Sequence, residues 1–148
     1  MKYFTISELT RSTTAEQKGI YNTPDEKTIS NLNILVDNLL DTMREKWAKY
    51  CNDNNLGNPA IIVTSGYRSN LLNKAVGGSK TSDHLWGFAA DLKPANKRME
   101  EFDKFIEQLI PTIKFSQIIR EKPKKGVPSW WHISYNPNNL KNQYFTLV

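Results

Sequence analysis

The sequence predicts an α+β fold with a small, mostly antiparallel sheet and flanking helices. Two segments have the apolar spacing of amphipathic helices, and four short apolar segments have the length of strands. A long helical segment comes first, and the last two strand segments lie close together, so we expect strands that pair with each other instead of alternating with helices. The 148 residues fit one domain, 1–148, with a single core.

The first third of the chain is predicted to be helical. A short helical signal surrounds Ser7 to Leu9 and is followed by a loop. A long helix is then expected to begin at Thr23 and Pro24, with Thr23 as the N-cap and Pro24 in the first position. Apolar residues recur at helical spacing and predict a stripe that packs on the core, namely Ile29, Leu32, Leu35, Val36, Leu39, Leu40, Met43 and Trp47.

The rest of the chain alternates short strands with helices and turns. Residues 52–59 are rich in turn-forming side chains and predict a break, after which residues 60–64 predict a buried strand. Ser69 is expected to cap a short helix that ends at Ala75, and residues 77–80 to form a loop. The other predicted elements are a strand at 88–92 stopped by Pro94, an amphipathic helix at 99–110, and strands at 117–120 and 131–135.

The composition narrows the class of protein. The net charge of +5 attracts polyanions such as nucleic acid, anionic lipid or an acidic cell wall, without choosing among them. The lysines are scattered except for Lys122, Lys124 and Lys125, which predict a solvated loop, so a nucleic-acid-binding protein is not favoured.

No apolar run is long enough to span a membrane, and the N-terminus lacks a signal peptide, so synthesis in the cytoplasm is expected. Cys51 is the single cysteine, which excludes an internal disulfide.

The candidate chemistry centres on the two histidines, His84 and His132. A lone histidine is most often structural, but Asp91 ends the strand that follows His84, and a carboxylate there is costly to bury unless it is paired or binds a metal. His84, Asp91 and His132 can therefore converge on the sheet from different elements. Two imidazoles and a carboxylate leave the fourth position of a tetrahedral zinc for water, as in a catalytic site, and the absence of cysteine ligands excludes a zinc finger.

These residues lie in motifs that resemble a known family. The motifs are Ser65-Gly66-Tyr67-Arg68-Ser69, Val76-Gly77-Gly78, Ser82-x-His84-x-x-Gly87-x-Ala89-x-Asp91 and Trp131-His132-Ile133-Ser134. Together they resemble the zinc D-Ala-D-Ala carboxypeptidase family, which includes peptidoglycan-cutting endolysins of phages, and the resemblance covers nearly the whole chain. It implies the fold that these enzymes share with lysostaphin-type enzymes and the hedgehog signalling domain.

The resemblance also implies roles for single residues. It places Zn²⁺ on His84, Asp91 and His132. It assigns Arg68 to the substrate, where a cation can hold a carboxylate or the carbonyl oxygen as negative charge develops. The alternative for Arg68 is a surface ion pair. It assigns a substrate contact to Ser82, whose alternative is a hydrogen bond within its loop.

The predicted general base is Glu121. Many relatives carry an acid or a histidine two or three positions before the last ligand, where this chain has Ser129 and Trp130. Short family members have a glutamate at the position of Glu121, and an antiparallel pairing of its strand with that of His132 would bring it near the metal. There it can take a proton from water and pass it to the leaving amine. The alternative for Glu121 is a salt bridge with a lysine.

The resemblance therefore implies zinc-dependent hydrolysis of a peptide bond in bacterial peptidoglycan by a monomer that acts on stem peptides. Without a signal peptide, the enzyme would reach the cell wall through a holin. The bond is D-Ala-D-Ala, L-Ala-D-Glu or one in a cross-bridge. The alternative is a non-catalytic zinc-containing phage or wall-binding module on the same fold, which the missing acid beside His132 favours.

Overall fold

A five-stranded sheet forms the centre of the computed structural model, which describes all 148 residues. The strands are β1 (Ile61–Ser65), β2 (Ala89–Pro94), β3 (Gln117–Glu121), β4 (Trp130–Ser134) and β5 (Gln143–Leu147). Their order in the sheet is β1-β2-β4-β3-β5. All neighbouring strands are antiparallel except β3 and β5, which run parallel.

The sheet is flanked by six α-helices: α1 (Ile6–Thr10), α2 (Thr13–Lys18), α3 (Glu26–Leu35), α4 (Asp41–Asn54), α5 (Asn70–Ala75) and α6 (Met99–Leu109). A π-helical turn at Val36–Leu40 joins α3 to α4, and 3₁₀ turns lie at Asp83–Trp86 and Ile110–Thr112. The prediction of an α+β fold with a mostly antiparallel sheet and flanking helices is confirmed. None of the helices has both the length and the apolar character that crossing a bilayer requires.

The long helix begins and ends later than the sequence predicts. Its N-cap is Asp25, not Thr23, because the Asp25 carboxylate accepts a hydrogen bond of 2.8 Å from the Thr28 amide. Aspartate is at least as good a cap as threonine, and Asp25 lies only two residues after the predicted cap. At the other end α4 continues to Asn54, into the segment that was predicted as a break.

Two elements were absent from the prediction, and three strands are displaced. Helix α2 buries only Ala15, so it has no apolar stripe, and its signal is the cap that the Ser12 hydroxyl provides. Strand β5 depends on parallel pairing with β3, which local sequence does not reveal. Strand β1 lies one residue later than predicted, and β2 includes Pro94 instead of stopping before it, since this residue pairs at the strand end with Ile61. Strand β4 lies one residue earlier than predicted, because Trp130 pairs with Glu121.

The core lies between the helices and one face of the sheet. Side chains alternate between the two faces of a strand, and in β4 the fully buried Trp131 and Ile133 face the helices. The Trp131 ring meets Phe102 of α6 edge-on at 4.8 Å between centroids, and Phe102 meets Trp47 of α4 in the same way at 4.9 Å. The alternate residues of β4, among them His132, therefore face the opposite side of the sheet.

Candidate metal centre

Asp91 and His132 are brought together by the register of the sheet. Asp91 of β2 lies directly opposite His132 of β4, and His132 lies opposite Ile119 of β3. Residues directly opposite each other in an antiparallel pair share a face of the sheet. His84 reaches the same place from the 3₁₀ turn before β2, which Ser82 caps by accepting a hydrogen bond of 3.2 Å from the His84 amide.

The three side chains form a group that can hold a metal ion. Their donor atoms lie within 4.8 Å of one another, and all three residues are buried. The Asp91 Oδ1 atom is 3.3 Å from both His84 Nε2 and His132 Nδ1. Zinc–ligand bonds of about 2.0–2.2 Å at tetrahedral angles separate ligand atoms by roughly 3.3–3.5 Å. The two distances that involve Asp91 therefore suit a shared zinc ion.

The hydrogen bonding of Asp91 also fits a metal. Its Oδ1 atom is buried and has no hydrogen-bond partner, although such an atom is costly to leave unsatisfied. Burial tends to raise the pKa of Asp91, but the adjacent imidazoles of His132 and His84 outweigh it and hold the pKa below its usual range. Asp91 is therefore an ionised carboxylate with a free lone pair, which is what a divalent cation requires of a ligand.

His84 is oriented by a backbone carbonyl. Its Nδ1 atom lies 2.7 Å from the oxygen of Gly66, and because a carbonyl only accepts, Nδ1 donates. When the imidazole is neutral, as a metal ligand must be, its lone pair is then on Nε2, the atom that faces Asp91. Gly66 in turn packs against α1 so closely that a Cβ atom would lie 2.1 Å from the Leu9 carbonyl oxygen. The contact with α1 thus fixes the carbonyl that orients His84.

Arg68 lies beside this group and is partly buried, with a side chain 15% exposed. Its Nη2 atom lies 3.4 Å from Asp91 Oδ2, while Nε donates to Ser65 Oγ and Nη1 to Asn73 Oδ1. Burial lowers the pKa of Arg68, and the negative charge of Asp91 opposes that effect. Arg68 is thus a desolvated cation at the site and not part of a surface ion pair.

Glu121 faces the same side of the sheet. It pairs with Trp130, two residues before His132, and residues two apart on a strand share a face. Burial raises the pKa of Glu121, and the charge of nearby Asp91 raises it further. No salt bridge links Glu121 to a lysine, so its carboxylate is free for another role.

A cleft of about 770 Å³ is lined by all six predicted site residues. It is lined by His84, Asp91 and His132 together with Arg68, Ser82 and Glu121. The glycine-containing loop at 77–79 lines it on another side.

Sequence reasoning overlooked two asparagines that hold the turn around Arg68. Asn22 accepts a hydrogen bond of 2.7 Å from the Ser69 amide and donates to the Tyr67 carbonyl at 3.1 Å, so it fixes the backbone on both sides of Arg68. Asn73 contacts the guanidinium group itself. Asn73 lies between the motif of Arg68 and that of Gly77. An amide side chain five residues after a predicted functional arginine could have indicated this contact.

Comparison with known proteins agrees with this geometry. A family model described as Peptidase M15 matches residues 2–122. No curated protein matches the chain. The matched range contains His84, Asp91, Arg68 and Glu121 and ends before His132, which the sheet register places opposite Asp91. Because the match covers most of the 148 residues, the chain belongs to the Peptidase M15 family, whose members are metal-dependent peptidases.

Proposed function

We propose that this chain hydrolyses a peptide bond in bacterial peptidoglycan, with a zinc ion held by His84, Asp91 and His132. The observation that carries the proposal is the buried Asp91 Oδ1 atom, which has no hydrogen-bond partner and lies 3.3 Å from a nitrogen of each histidine. Family membership supports a metallopeptidase. The motif resemblance to D-Ala-D-Ala carboxypeptidases and phage endolysins supports stem peptides as the substrate.

Bound zinc would supply Lewis acidity, which makes water a better nucleophile and polarises the scissile carbonyl. Glu121 has the position of a general base: its carboxylate accepts the proton of the attacking water and then donates it to the leaving amine. Partial burial supports the first of these transfers, because a raised pKa makes the carboxylate a stronger base, which accepts a proton from water more readily than a solvated carboxylate does. Glu121 thereby takes the place of the acid that is missing at Ser129 and Trp130.

Arg68 and Ser82 act on the substrate in this proposal. The guanidinium group has five N–H donors, and its hydrogen bonds to Ser65, Asn73 and Asp91 leave two of them for the substrate. They can bind the carbonyl oxygen as negative charge develops, or a substrate carboxylate. The Ser82 hydroxyl oxygen accepts from the His84 amide, so its O–H remains able to donate to a substrate atom in the cleft.

The proposed enzyme acts on the cell wall as a monomer, and one chain suffices for this role, since all six residues line a single cleft that needs no residue from a second copy. Its basic character, with a pI near 9.3, favours association with an acidic wall. Release to the cell wall through a holin belongs to the same proposal. The scissile bond is D-Ala-D-Ala, L-Ala-D-Glu or a cross-bridge bond.

The test compares wild type with Glu121→Gln and, as a matched control, Glu100→Gln, whose side chain is exposed on α6. Zinc content is measured by elemental analysis, and the fragments released from purified peptidoglycan are identified by mass spectrometry. We expect about one zinc per chain in all three proteins and peptide release by wild type and the control only. The fragments identify the bond that is cut.

Two results would change the proposal. Zinc without turnover in wild type would identify a non-catalytic wall-binding module, the alternative that the missing acid beside His132 suggests. Turnover that survives in Glu121→Gln would assign the general base to another group.

A further inference from the structure

The guanidinium group of Arg68 is held at three points by three different partners. Nε donates to Ser65 Oγ at 3.1 Å, Nη1 to Asn73 Oδ1 at 3.2 Å and Nη2 to Asp91 Oδ2 at 3.4 Å. A buried cation keeps a fixed place only when such partners hold it. Asp91 is also a candidate metal ligand, and a metal would draw on its carboxylate. A bound metal would leave the contacts with Ser65 and Asn73 intact, and of these two only the Asn73 contact holds a terminal nitrogen of the guanidinium group.

Asn73 is itself fixed on both sides of its amide. The residue is buried within α5 and 4% exposed. Its Oδ1 accepts from Arg68, while its Nδ2 donates to the Ser79 carbonyl at 2.9 Å, and its own carbonyl accepts from the Gly78 amide at 2.8 Å. Asn73 therefore ties Arg68 to the loop at 77–79 that lines the cleft.

Gly78 leaves the space that this contact needs. A Cβ atom at Gly78 would lie 2.0 Å from Asn73 Oδ1 and 2.9 Å from Arg68 Nη1. The Gly78 backbone does not have the positive φ that favours glycine, in contrast to Gly77 with a φ of 74°. Space for the amide–guanidinium contact, and not backbone conformation, thus accounts for glycine at position 78.

We propose that Asn73 is a positioning residue that holds the Arg68 guanidinium toward the cleft, and that Gly78 is required because the two side chains meet where its Cβ would be. A neutral amide suits this role because it accepts a hydrogen bond without neutralising the charge of Arg68. An aspartate at position 73 would neutralise that charge and compete with the substrate for it. It would also lose the N–H group that donates to the Ser79 carbonyl. The consequence for catalysis rests on the proposed function, whereas the positioning of Arg68 does not.

The first arm of the test is kinetic, on a soluble stem peptide. We expect Asn73→Ala and Gly78→Ala each to lower kcat/KM by about ten- to a hundredfold, the usual cost of a misplaced catalytic group. Asn73→Asp should also lose activity, and Asn70→Ala, an exposed asparagine on the same helix, should keep it. In the Arg68→Ala background, Asn73→Ala should cause no further loss, because its effect acts through Arg68. Multiplied losses in the double variant would overturn the proposal.

The second arm does not require activity. The protein is labelled with ¹⁵N-arginine, and NMR measures how fast the Nη hydrogens of Arg68 exchange with water and how fast the Nη groups rotate about their Cζ–Nη bonds. Both rates should be slow in wild type and Asn70→Ala, and faster in Asn73→Ala and Gly78→Ala. Unchanged Arg68 signals in both variants would overturn the positioning role. If wild type cleaves no stem peptide but these signals change as expected, the proposed function fails and the positioning of Arg68 stands. Gly78→Ala keeps both polar side chains and serves if Asn73→Ala does not fold.

Discussion

Asp91 and His132 lie directly opposite each other on β2 and β4, so the sheet's hydrogen bonds fix the distance between these two candidate ligands. Sites on strands are held more rigidly than sites on loops. His84 differs, because it lies on a 3₁₀ turn whose position depends on the Ser82 cap and the Gly66 carbonyl. Removal of His132 therefore tests the metal site at its most rigid point.

His132→Ala is expected to remove high-affinity zinc binding. The loss should exceed about 100-fold in affinity, because loss of a residue that only orients a ligand already costs 10–100-fold. Zinc that binds only the native state raises the free energy of unfolding, by about 2.7 kcal/mol when free zinc is 100 times Kd. The melting temperature rises as a result. We expect this increase in wild type and its loss in His132→Ala, measured by calorimetry with and without zinc.

The comparison uses the difference in Tm that zinc causes, since the substitution itself changes the stability of the metal-free protein. Wild type treated with a chelator gives the baseline. An equal zinc-dependent increase in His132→Ala and wild type would show that the ion binds elsewhere.

The pKa of Glu121 is expected to respond to zinc. In the metal-free protein, burial and the charge of Asp91 favour the protonated form, so the pKa lies above the usual 4.5. A nearby dication favours the carboxylate, so zinc should lower this pKa. A base must be deprotonated to act, so activity should fall as the pH drops through the pKa of the zinc-loaded protein. A ¹³C NMR titration of the side-chain carboxyl, with and without zinc, measures the shift.

Glu100 on α6 is the internal control, because it lies on the exposed surface and its carboxyl resonance should not respond to zinc. A Glu121 pKa that zinc leaves unchanged would place this carboxylate too far from the metal to act as the base.

The sequence was most informative where one strand carries both core and site residues. In β4, Trp131 and Ile133 identify the buried face by their apolar character, and period-two alternation then assigns His132 to the other face. With only two histidines in the chain, the candidate ligand set was short. The antiparallel pairing of β3 with β4 was also foreseeable, because the two segments are close in sequence.

Contacts between residues far apart in sequence were beyond local reasoning. Asn22 binds the backbone at Tyr67 and Ser69, more than 40 residues away, and no pattern in its own neighbourhood signals that role. Strand β5 carries the strand-favouring residues Tyr144, Phe145 and Thr146, but its parallel pairing with β3 joins segments more than 20 residues apart and has no local signal. In both cases the information lies in the tertiary fold.

Gly66→Ala is expected to destabilise the protein and weaken zinc binding together. The new Cβ would lie 2.1 Å from the Leu9 carbonyl oxygen, a backbone atom that cannot move alone. Such overpacking costs about 1–3 kcal/mol of unfolding free energy. The shift also displaces the carbonyl that accepts from His84 Nδ1. Urea denaturation and a zinc titration measure the two effects.

Gly19→Ala is the matched control for Gly66→Ala. Gly19 has a φ of 63° and open space around it, so alanine there adds backbone strain of about 1–2 kcal/mol without a clash. It should leave zinc affinity unchanged. Full zinc affinity in Gly66→Ala would show that the Gly66 carbonyl does not hold His84 in place.

Asp103→Ala is expected to destabilise the fold without affecting the zinc site, because Asp103 joins α6 to the opposite face of the sheet. Its carboxylate accepts two hydrogen bonds from Arg120, at 2.9 and 2.7 Å, and a longer one of 3.4 Å from Trp131 Nε1. The substitution leaves these partly buried donors unpaired, at a cost of about 1–3 kcal/mol in urea denaturation. Glu101→Ala, which removes an exposed pair of 3.8 Å with Arg98, should cause no measurable change. Equal stability of the two variants would mean that water replaces the Asp103 carboxylate at no cost.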